Sequence, residues 1–221
     1  MKKALLAAIL VSMLLAWASA SSAQVPEPLA FYPLKVGQKW TYQVTDLKAP
    51  QQAPDAKRNV VIEVEREEAY VRPKMTTKDG KELEEKKFTG YILKSTSGGK
   101  VTRDHVVAME DGIYRVHAAE TQISPPLPFI KWPNIFQAKA WEANATSGNT
   151  TIKATFTPKL EDVKLNTGEA TKLLTVSYRD HQPGGDRVEI DYYFLPGIGM
   201  YQQRVKTKNH EIMLKLVANQ K

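Results

Sequence analysis

The sequence predicts an all-β protein built on a large antiparallel sheet of about nine to eleven strands, curved into a half-barrel or packed as a sandwich. Apolar and polar residues alternate with a period of two in most runs, which is typical of strands with one buried and one wetter face. Antiparallel sheets have such faces, whereas parallel sheets are usually buried on both sides. Turn signals containing glycine separate the runs, and no segment after residue 23 shows clear helical periodicity.

The first element is a targeting segment rather than part of the fold. Lys2 and Lys3 precede an apolar run at 4–17, and the small residues of "ASASSAQ" follow it. This layout is typical of a secretory signal peptide, and the run is shorter than the roughly 20 apolar residues of a membrane span. We predict a signal peptide at 1–23, cleaved near Ala20 or Ala23, and a single all-β domain at 24–221; the alternative for the first segment is an uncleaved N-terminal anchor. The mature chain would then be periplasmic or secreted, without a transmembrane segment.

The strands follow in order along the mature chain. In "WTYQV", Trp40, Tyr42 and Val44 share one face of the first predicted strand. Glycine turns such as "TSGGK" and "EDGI" then separate later runs. The predicted strands lie near 38–46, 58–70, 86–96, 101–109, 112–119, 140–146, 150–157, 171–180, 187–195, 199–207 and 210–218.

A proline-rich stretch at 123–141 interrupts this series. It contains Pro125, Pro126, Pro128 and Pro133, and proline cannot donate to a sheet ladder. We therefore predict an extended crossover; the alternative is a polyproline ligand segment, which would dock on an aromatic groove of a partner.

The spacing of Pro133 and Trp141 in this stretch echoes that of Pro33 and Trp40 near the start. The echo suggests two related halves, 32–120 and 121–221, with chance alignment as the alternative.

Composition excludes several function classes. The net charge of +7 is spread along the chain and interleaved with acids, whereas a nucleic-acid binder needs a concentrated basic face. The chain has no cysteine, which excludes thiol nucleophiles, thiolate metal sites and disulfides.

No catalytic or metal motif stands out. The four histidines have no metal-ligand spacing, and each is predicted to be a structural residue: His105, His117, His181 and His210. Serine-nucleophile and phosphate-loop motifs are missing. Glu189 and Asp191 share a strand face and could form an acid pair, but a charged solvent face is the preferred interpretation. We predict no catalytic residue, no metal site and no cofactor.

Strand aromatics are the remaining candidates for a site. In a barrel they could line a lipid-sized cavity, and in a sandwich they would fill the core. The candidate cavity-lining residues are Trp40, Tyr42, Trp141, Tyr178, Tyr192 and Phe194.

Two segments carry a family resemblance: "FYPLKVGQKWTYQV" near the start and "DYYFLPGIGMYQQRV" at 191–205. Together they resemble bacterial secreted proteins of unknown function that open with a Pro-Leu-x-x-Gly-x-x-Trp-x-Tyr strand and close with an aromatic strand running into Pro-Gly-x-Gly. The resemblance implies a large, curved antiparallel sheet, similar to the half-barrels of periplasmic lipoprotein carriers. It supplies no catalytic residue.

These observations predict a secreted or periplasmic, non-enzymatic protein that binds a lipid, another amphiphile or an envelope protein on a concave sheet face. The alternatives are a scaffolding envelope module with a filled core and a hydrolase with a site assembled across strands. Two histidines, or histidine and carboxylates, meeting in one cleft would favour the hydrolase, and scattered histidines would disfavour it.

Overall fold

The computed structural model describes residues 28–49, 57–76, 80, 82–181 and 187–220. The predicted signal peptide and the glycine-containing turn signals "KDGK" (78–81, apart from Gly80) and "QPGGD" (182–186) lie outside the described residues.

The described residues are mostly in strands. A 3-10 helix (Pro28–Phe31) comes first, and a short helix, α1 (Trp132–Gln137), lies between the eighth and ninth strands. The strands are β1 (Lys39–Asp46), β2 (Lys57–Arg72), β3 (Met75–Thr76), β4 (Glu82–Leu83), β5 (Lys86–Ser97), β6 (Lys100–Met109), β7 (Gly112–Ala118), β8 (Thr121–Lys131), β9 (Trp141–Ser147), β10 (Thr150–Lys164), β11 (Ala170–Asp180), β12 (Glu189–Leu195), β13 (Gly199–Lys206) and β14 (Glu211–Gln220).

Twelve of these strands form one closed barrel of antiparallel neighbours, in the order β1-β14-β13-β12-β11-β10-β9-β8-β7-β6-β5-β2. The short strands β3 and β4 pair separately. The predicted all-β fold with a large, curved antiparallel sheet is confirmed. The sheet closes completely because β1 pairs with both β14 and β2. Each of the eleven strands predicted from alternation corresponds to a strand of the barrel, and β8 is the twelfth.

The prediction of an extended crossover at 123–141 is wrong, because its first part belongs to β8 and the next to α1. The structure shows how strand β8 accommodates Pro125 and Pro126. β8 pairs with β9 only at Ile123 and Ser124. Pro125 and Pro126 fall in an interruption of the β7–β8 ladder, where the partners step from Gln122 to Leu127. A missing N–H at these positions therefore costs no ladder hydrogen bond.

The N-terminal segment closes one end of the barrel. Phe31 is fully buried, and the Tyr32 ring stacks on Trp40 at 6.0 Å between centroids. The Tyr32 ring is also nearly perpendicular to the rings of Phe129 and Phe194, with centroids 5.4 and 5.9 Å apart. We call residues 28–38 the N-terminal plug, the end that it covers the plugged end, and the end where β1 finishes the far end.

The two segments that carry the family resemblance meet at the plugged end. Trp40 Nε1 donates a hydrogen bond to the Ile198 carbonyl at 2.6 Å, and the Tyr42 hydroxyl donates to the Met200 carbonyl at 2.8 Å. Both side chains are almost fully buried, so these bonds satisfy polar atoms that would otherwise be costly inside the barrel.

Gly199 is required at this junction for two reasons. Its φ of +96° is a conformation that L residues rarely adopt. A Cβ at this position would also lie 3.1 Å from Trp40 Nε1. The Pro-Gly-x-Gly turn therefore makes room for the tryptophan of the opening strand.

Candidate functional site

An interior cavity of about 160 Å³ lies toward the far end of the barrel. Its lining comes from β7, β8, β10, β11 and β12, and most of it is apolar or aromatic. The lining residues are Arg115, Leu127, Phe129, Ile152, Phe156, Tyr178, Ile190 and Tyr192.

Aromatic packing holds the walls of this cavity in place. Trp141 stacks on Phe156 at 5.4 Å with the ring planes 3° apart, and the Phe156 and Tyr178 rings make a T-shaped contact at 5.3 Å. Phe129 meets Tyr192 edge-on at 5.7 Å. Rings in such contacts have few alternative rotamers, so the cavity is formed before any ligand arrives.

Arg115 places a positive charge inside this apolar surface. It pairs across the sheet with Val106 and Leu127, both of which are buried, so its side chain shares their inward face. The guanidinium carbon lies 5.7 Å from the centre of the Phe129 ring, and 29% of the side chain is exposed. A guanidinium stays protonated in proteins, so the cavity contains a permanent cation.

The charge on Arg115 is only loosely neutralised. Its ion-pair partner among the described residues is Asp104, whose Oδ2 lies 3.5 Å from Arg115 Nε. This contact is not a hydrogen bond, and Nε is buried without a hydrogen-bond partner. Asp104 Oδ1 accepts a hydrogen bond from the Ala119 backbone N–H at 2.9 Å.

Two tyrosines add neutral hydroxyl groups to the cavity. Burial raises the pKa of Tyr178 to about 12, and burial also raises the pKa of Tyr192. Both phenols therefore keep their protons at neutral pH and can donate hydrogen bonds.

The six aromatic candidates from the sequence lie at different depths. Tyr178 and Tyr192 line the cavity. Trp141 and Phe194 form the layer behind it, the first against Phe156 and the second against Phe129 and Tyr192. Trp40 and Tyr42 belong to the junction at the plugged end.

Sequence reasoning missed Arg115 and the apolar lining residues of the cavity. One signal was available for Arg115. In "GIYRVHA", Arg115 lies two positions after Ile113, so an alternating strand places both side chains on one face.

A second, more open cleft of about 460 Å³ lies against β2, β5, β6 and the end of β7, next to the β7–β8 turn. Its lining is mainly charged. The lining residues are Arg66, Glu68, Ile92, Arg103, Asp104, His105, His117 and Glu120.

Nothing in the spacing of the four histidines predicted that any two of them meet, but His105 and His117 meet in this cleft. They are register partners in β6 and β7, and their rings are parallel within 9° at 5.8 Å. His181 and His210 lie away from it: His181 contacts Thr155, and His210 contacts Asp46. The cleft thus brings two histidines and carboxylates together, which is the arrangement that would favour a hydrolase.

The arrangement inside the cleft offers little chemistry beyond this clustering. His105 Nε2 lies 3.2 Å from the Glu68 carbonyl oxygen, and Arg103 makes a bidentate pair with Glu65. No serine, threonine or lysine is among the lining residues. No group of three histidine or carboxylate side chains in the described residues could hold a metal ion. The described lining therefore offers no serine or threonine hydroxyl, no lysine amine and no evident metal site, while its histidines and carboxylates remain.

The other acid pair considered from the sequence is engaged in ion pairs. Arg179 Nη2 lies 2.9 Å from Asp191 Oδ1, and Arg179 Nε lies 3.9 Å from Glu189. Asp191 also accepts a hydrogen bond from the Ser177 hydroxyl at 2.7 Å. These contacts match the charged sheet face that was the preferred interpretation.

Comparison with known proteins gives little further information. No family model matches the chain, and no curated protein matches it. A "putative lipoprotein" from Parabacteroides distasonis is 12% identical, with a TM-score of 0.45, over 86% of this chain and 98% of its own. A "putative exported protein with YmcC-like fold" from Bacteroides fragilis is 13% identical, with a TM-score of 0.35, over 86% of this chain and 99% of its own. No helix in the described part of the chain is long and apolar enough to cross a membrane.

Proposed function

We propose that this is an exported, non-enzymatic protein that binds a small amphipathic ligand inside its barrel. The observation that carries the proposal is the preformed, mostly apolar cavity beside Tyr178 and Tyr192. A pocket with apolar walls and a few polar groups is the usual form of a small-molecule site. The predicted signal peptide supports export.

The size of the cavity limits the ligand. Its volume of about 160 Å³ is close to the roughly 150 Å³ of an engineered apolar cavity that binds benzene. It is smaller than the roughly 300–1,000 Å³ of typical drug-sized sites. The interior therefore fits one ring, or a chain of about six carbons, rather than a whole lipid. A longer amphiphile would place only one end inside.

A scaffolding module with a filled core is the less favoured function. Its core would have no space near Tyr192, whereas the cavity lies there. The aromatic packing at the plugged end is structural in either case.

Binding of 1-hexanol, followed by saturation-transfer NMR, tests the proposal. Burying a hexyl chain contributes at most about 5 kcal/mol at about 0.8 kcal/mol per methylene, which corresponds to a dissociation constant near the millimolar range. We expect the wild-type protein to bind hexanol and Ile152→Trp, which fills the cavity, to lose that binding.

The matched control is Val217→Trp, which adds the same side chain to an exposed strand position. This variant should bind hexanol as the wild type does. If hexanol fails to bind the folded wild-type protein, or if both variants bind it equally well, the interior site is disproved.

A further inference from the structure

We infer that the ligand is a small carboxylate, with its apolar part in the barrel cavity and its charged group on Arg115. The inference rests on the proposed function and adds the chemical class of the ligand. It depends on the hydrogen-bonding state of Arg115 and on the arrangement of its neighbours.

The guanidinium of Arg115 has unused donors. It carries five N–H groups, and no hydrogen bond joins any of them to a described residue. Its recorded contacts are the 3.5 Å approach to Asp104 and the face of the Phe129 ring. Buried polar groups in folded proteins nearly always have a partner, and a buried charge without one is costly. An acceptor supplied from outside the chain would explain this arrangement.

The neighbouring hydroxyls favour the same kind of partner. Tyr178 and Tyr192 line the cavity with Arg115, and neither hydroxyl makes a hydrogen bond to a described residue. Both are neutral at physiological pH, because burial raises the pKa of each. Every polar side chain of the lining can therefore donate a hydrogen bond, which suits an acceptor-only group.

A carboxylate matches these donors best. It accepts two parallel hydrogen bonds from one guanidinium, and such charge-assisted pairs are shorter and stronger than neutral ones. An ammonium group offers only donors and would face Arg115 with a like charge. A neutral alcohol can also accept hydrogen bonds, but it would leave the positive charge unmatched.

Asp104 is the group that competes with the ligand for Arg115. An incoming carboxylate must approach a guanidinium that already has a negative neighbour at 3.5 Å. Asp104→Asn removes this charge. The amide oxygen can still accept the Ala119 N–H, so the turn between β7 and β8 keeps its hydrogen bond.

The test compares hexanoate, 1-hexanol and hexylamine, which share one chain length, by titration calorimetry and saturation-transfer NMR at neutral pH. We expect hexanoate to bind the wild-type protein most tightly. Arg115→Met should weaken hexanoate by about tenfold to a hundredfold, as for the loss of a charge-assisted hydrogen bond, and should leave hexanol nearly unchanged. Asp104→Asn should strengthen hexanoate only.

Arg103→Met is the matched control, because Arg103 is the neighbour of Asp104 in β6 and pairs with Glu65 on the outer face. It should leave all three affinities unchanged. If the role of Arg115 were purely structural, Asp104→Asn would not strengthen hexanoate binding. The Asp104→Asn variant also tests the inference if Arg115→Met fails to fold.

The outcomes separate the two proposals. If hexanol binds and hexanoate gains nothing over it, water satisfies Arg115 and the carboxylate inference is overturned while the cavity site stands. If hexylamine binds most tightly, Asp104 selects the ligand and the inference is again overturned. If none of the three binds, the proposed function fails as well.

Discussion

Arg115 shows how far single residues could be predicted from this sequence. Alternation placed Trp40, Tyr192 and Phe194 on the inner face, because apolar side chains at every second position have only one favourable side. A charged residue in the same pattern is normally assigned to solvent. Arg115 is an exception because β7 carries it between buried Val106 and Leu127. Its inward direction becomes certain only when the neighbouring strands are known.

His105 is a second residue whose environment the sequence did not reveal. It is 5% exposed. Its ring packs against Gly90 so closely that a Cβ added at Gly90 would lie 2.2 Å from His105 Nε2. Glu68 and Arg66 of β2 and His117 of β7 surround it. Burial lowers the pKa of His105, although the Glu68 carbonyl acts in the opposite direction. The imidazole is therefore neutral in the folded protein at neutral pH.

This environment predicts an acid-dependent loss of stability. The pKa of His105 is lower in the folded chain than in the unfolded chain, where a histidine titrates near pH 6.5, so the unfolded state binds the proton more readily. The stability that depends on neutral His105 should be complete above about pH 6.5, and the free energy of unfolding should fall as the pH drops below that value. Urea unfolding at pH 7.5 and 5.5 measures this change.

Two variants assign the effect to one residue. His105→Gln should show a smaller loss of unfolding free energy between the two pH values than the wild type. His181→Gln, at an exposed position, should lose as much as the wild type. An undiminished pH dependence in His105→Gln would contradict the prediction.

At the scale of elements, the opening Trp-x-Tyr strand motif and the Pro-Gly-x-Gly motif form a single structural junction. The strand that begins at Trp40 and the turn that ends at Gly199 are far apart in the chain, yet they form a hydrogen-bonded junction. The ring of Trp40 sits over Gly199, and its indole N–H reaches the Ile198 carbonyl. The motifs are therefore explained by closure of the barrel, and neither needs a ligand.

The substitution Gly199→Ala tests this explanation. The new methyl group would lie 3.1 Å from Trp40 Nε1 at a residue whose φ is +96°. Gly168→Ala is the matched control, since Gly168 has a φ of +85° and no atom within 4 Å of its Cβ position. Both variants carry a backbone strain of about 1–3 kcal/mol. We expect Gly199→Ala to lose about 1 kcal/mol or more of unfolding free energy beyond the control, from overpacking.

Urea unfolding of the two variants makes the comparison. Equal losses would mean that the Trp40 contact adjusts without cost, and the junction would then contribute little to stability.

The positions of the strands could be predicted from the local pattern far better than the pairing between strands. The alternating runs located eleven strands because period-two burial is a local property. β8 was missed because its prolines resemble a loop, and the reason for their tolerance lies in the neighbouring strands: the bulged β7 and the barely paired β9.

For the whole molecule, closure of the sheet was beyond what the sequence could predict. Closure requires the first strand of the barrel to pair with the last, β1 with β14, and no local pattern specifies that partner. The cavity depends on how the sheet curves, because its lining is brought together from five strands, β7, β8, β10, β11 and β12. The site therefore depends on long-range geometry, whereas the aromatic composition around it depends on the local pattern.

The closed barrel has one thin seam, and this seam predicts where it opens first. β8 and β9 are joined through two register pairs, Ile123 with Ser147 and Ser124 with Thr146, whereas β10 and β11 pair along the whole of β11. Few ladder bonds and few neighbours allow local opening at a lower free energy than global unfolding. A disulfide across the seam should therefore stabilise the barrel more than one across a continuous ladder.

Ser124→Cys with Thr146→Cys closes the seam, and Thr157→Cys with Ser177→Cys is the control in the β10–β11 ladder. The chain has no cysteine of its own, so each pair has no alternative partner within the same molecule. The two loops are of similar length, so the entropy removed from the unfolded chain is nearly the same. We expect the seam disulfide to raise the melting temperature more than the control and to slow amide exchange of Leu127 and Phe129. Equal gains in melting temperature, with unchanged exchange at these amides, would show that the seam is as stable as the rest of the barrel.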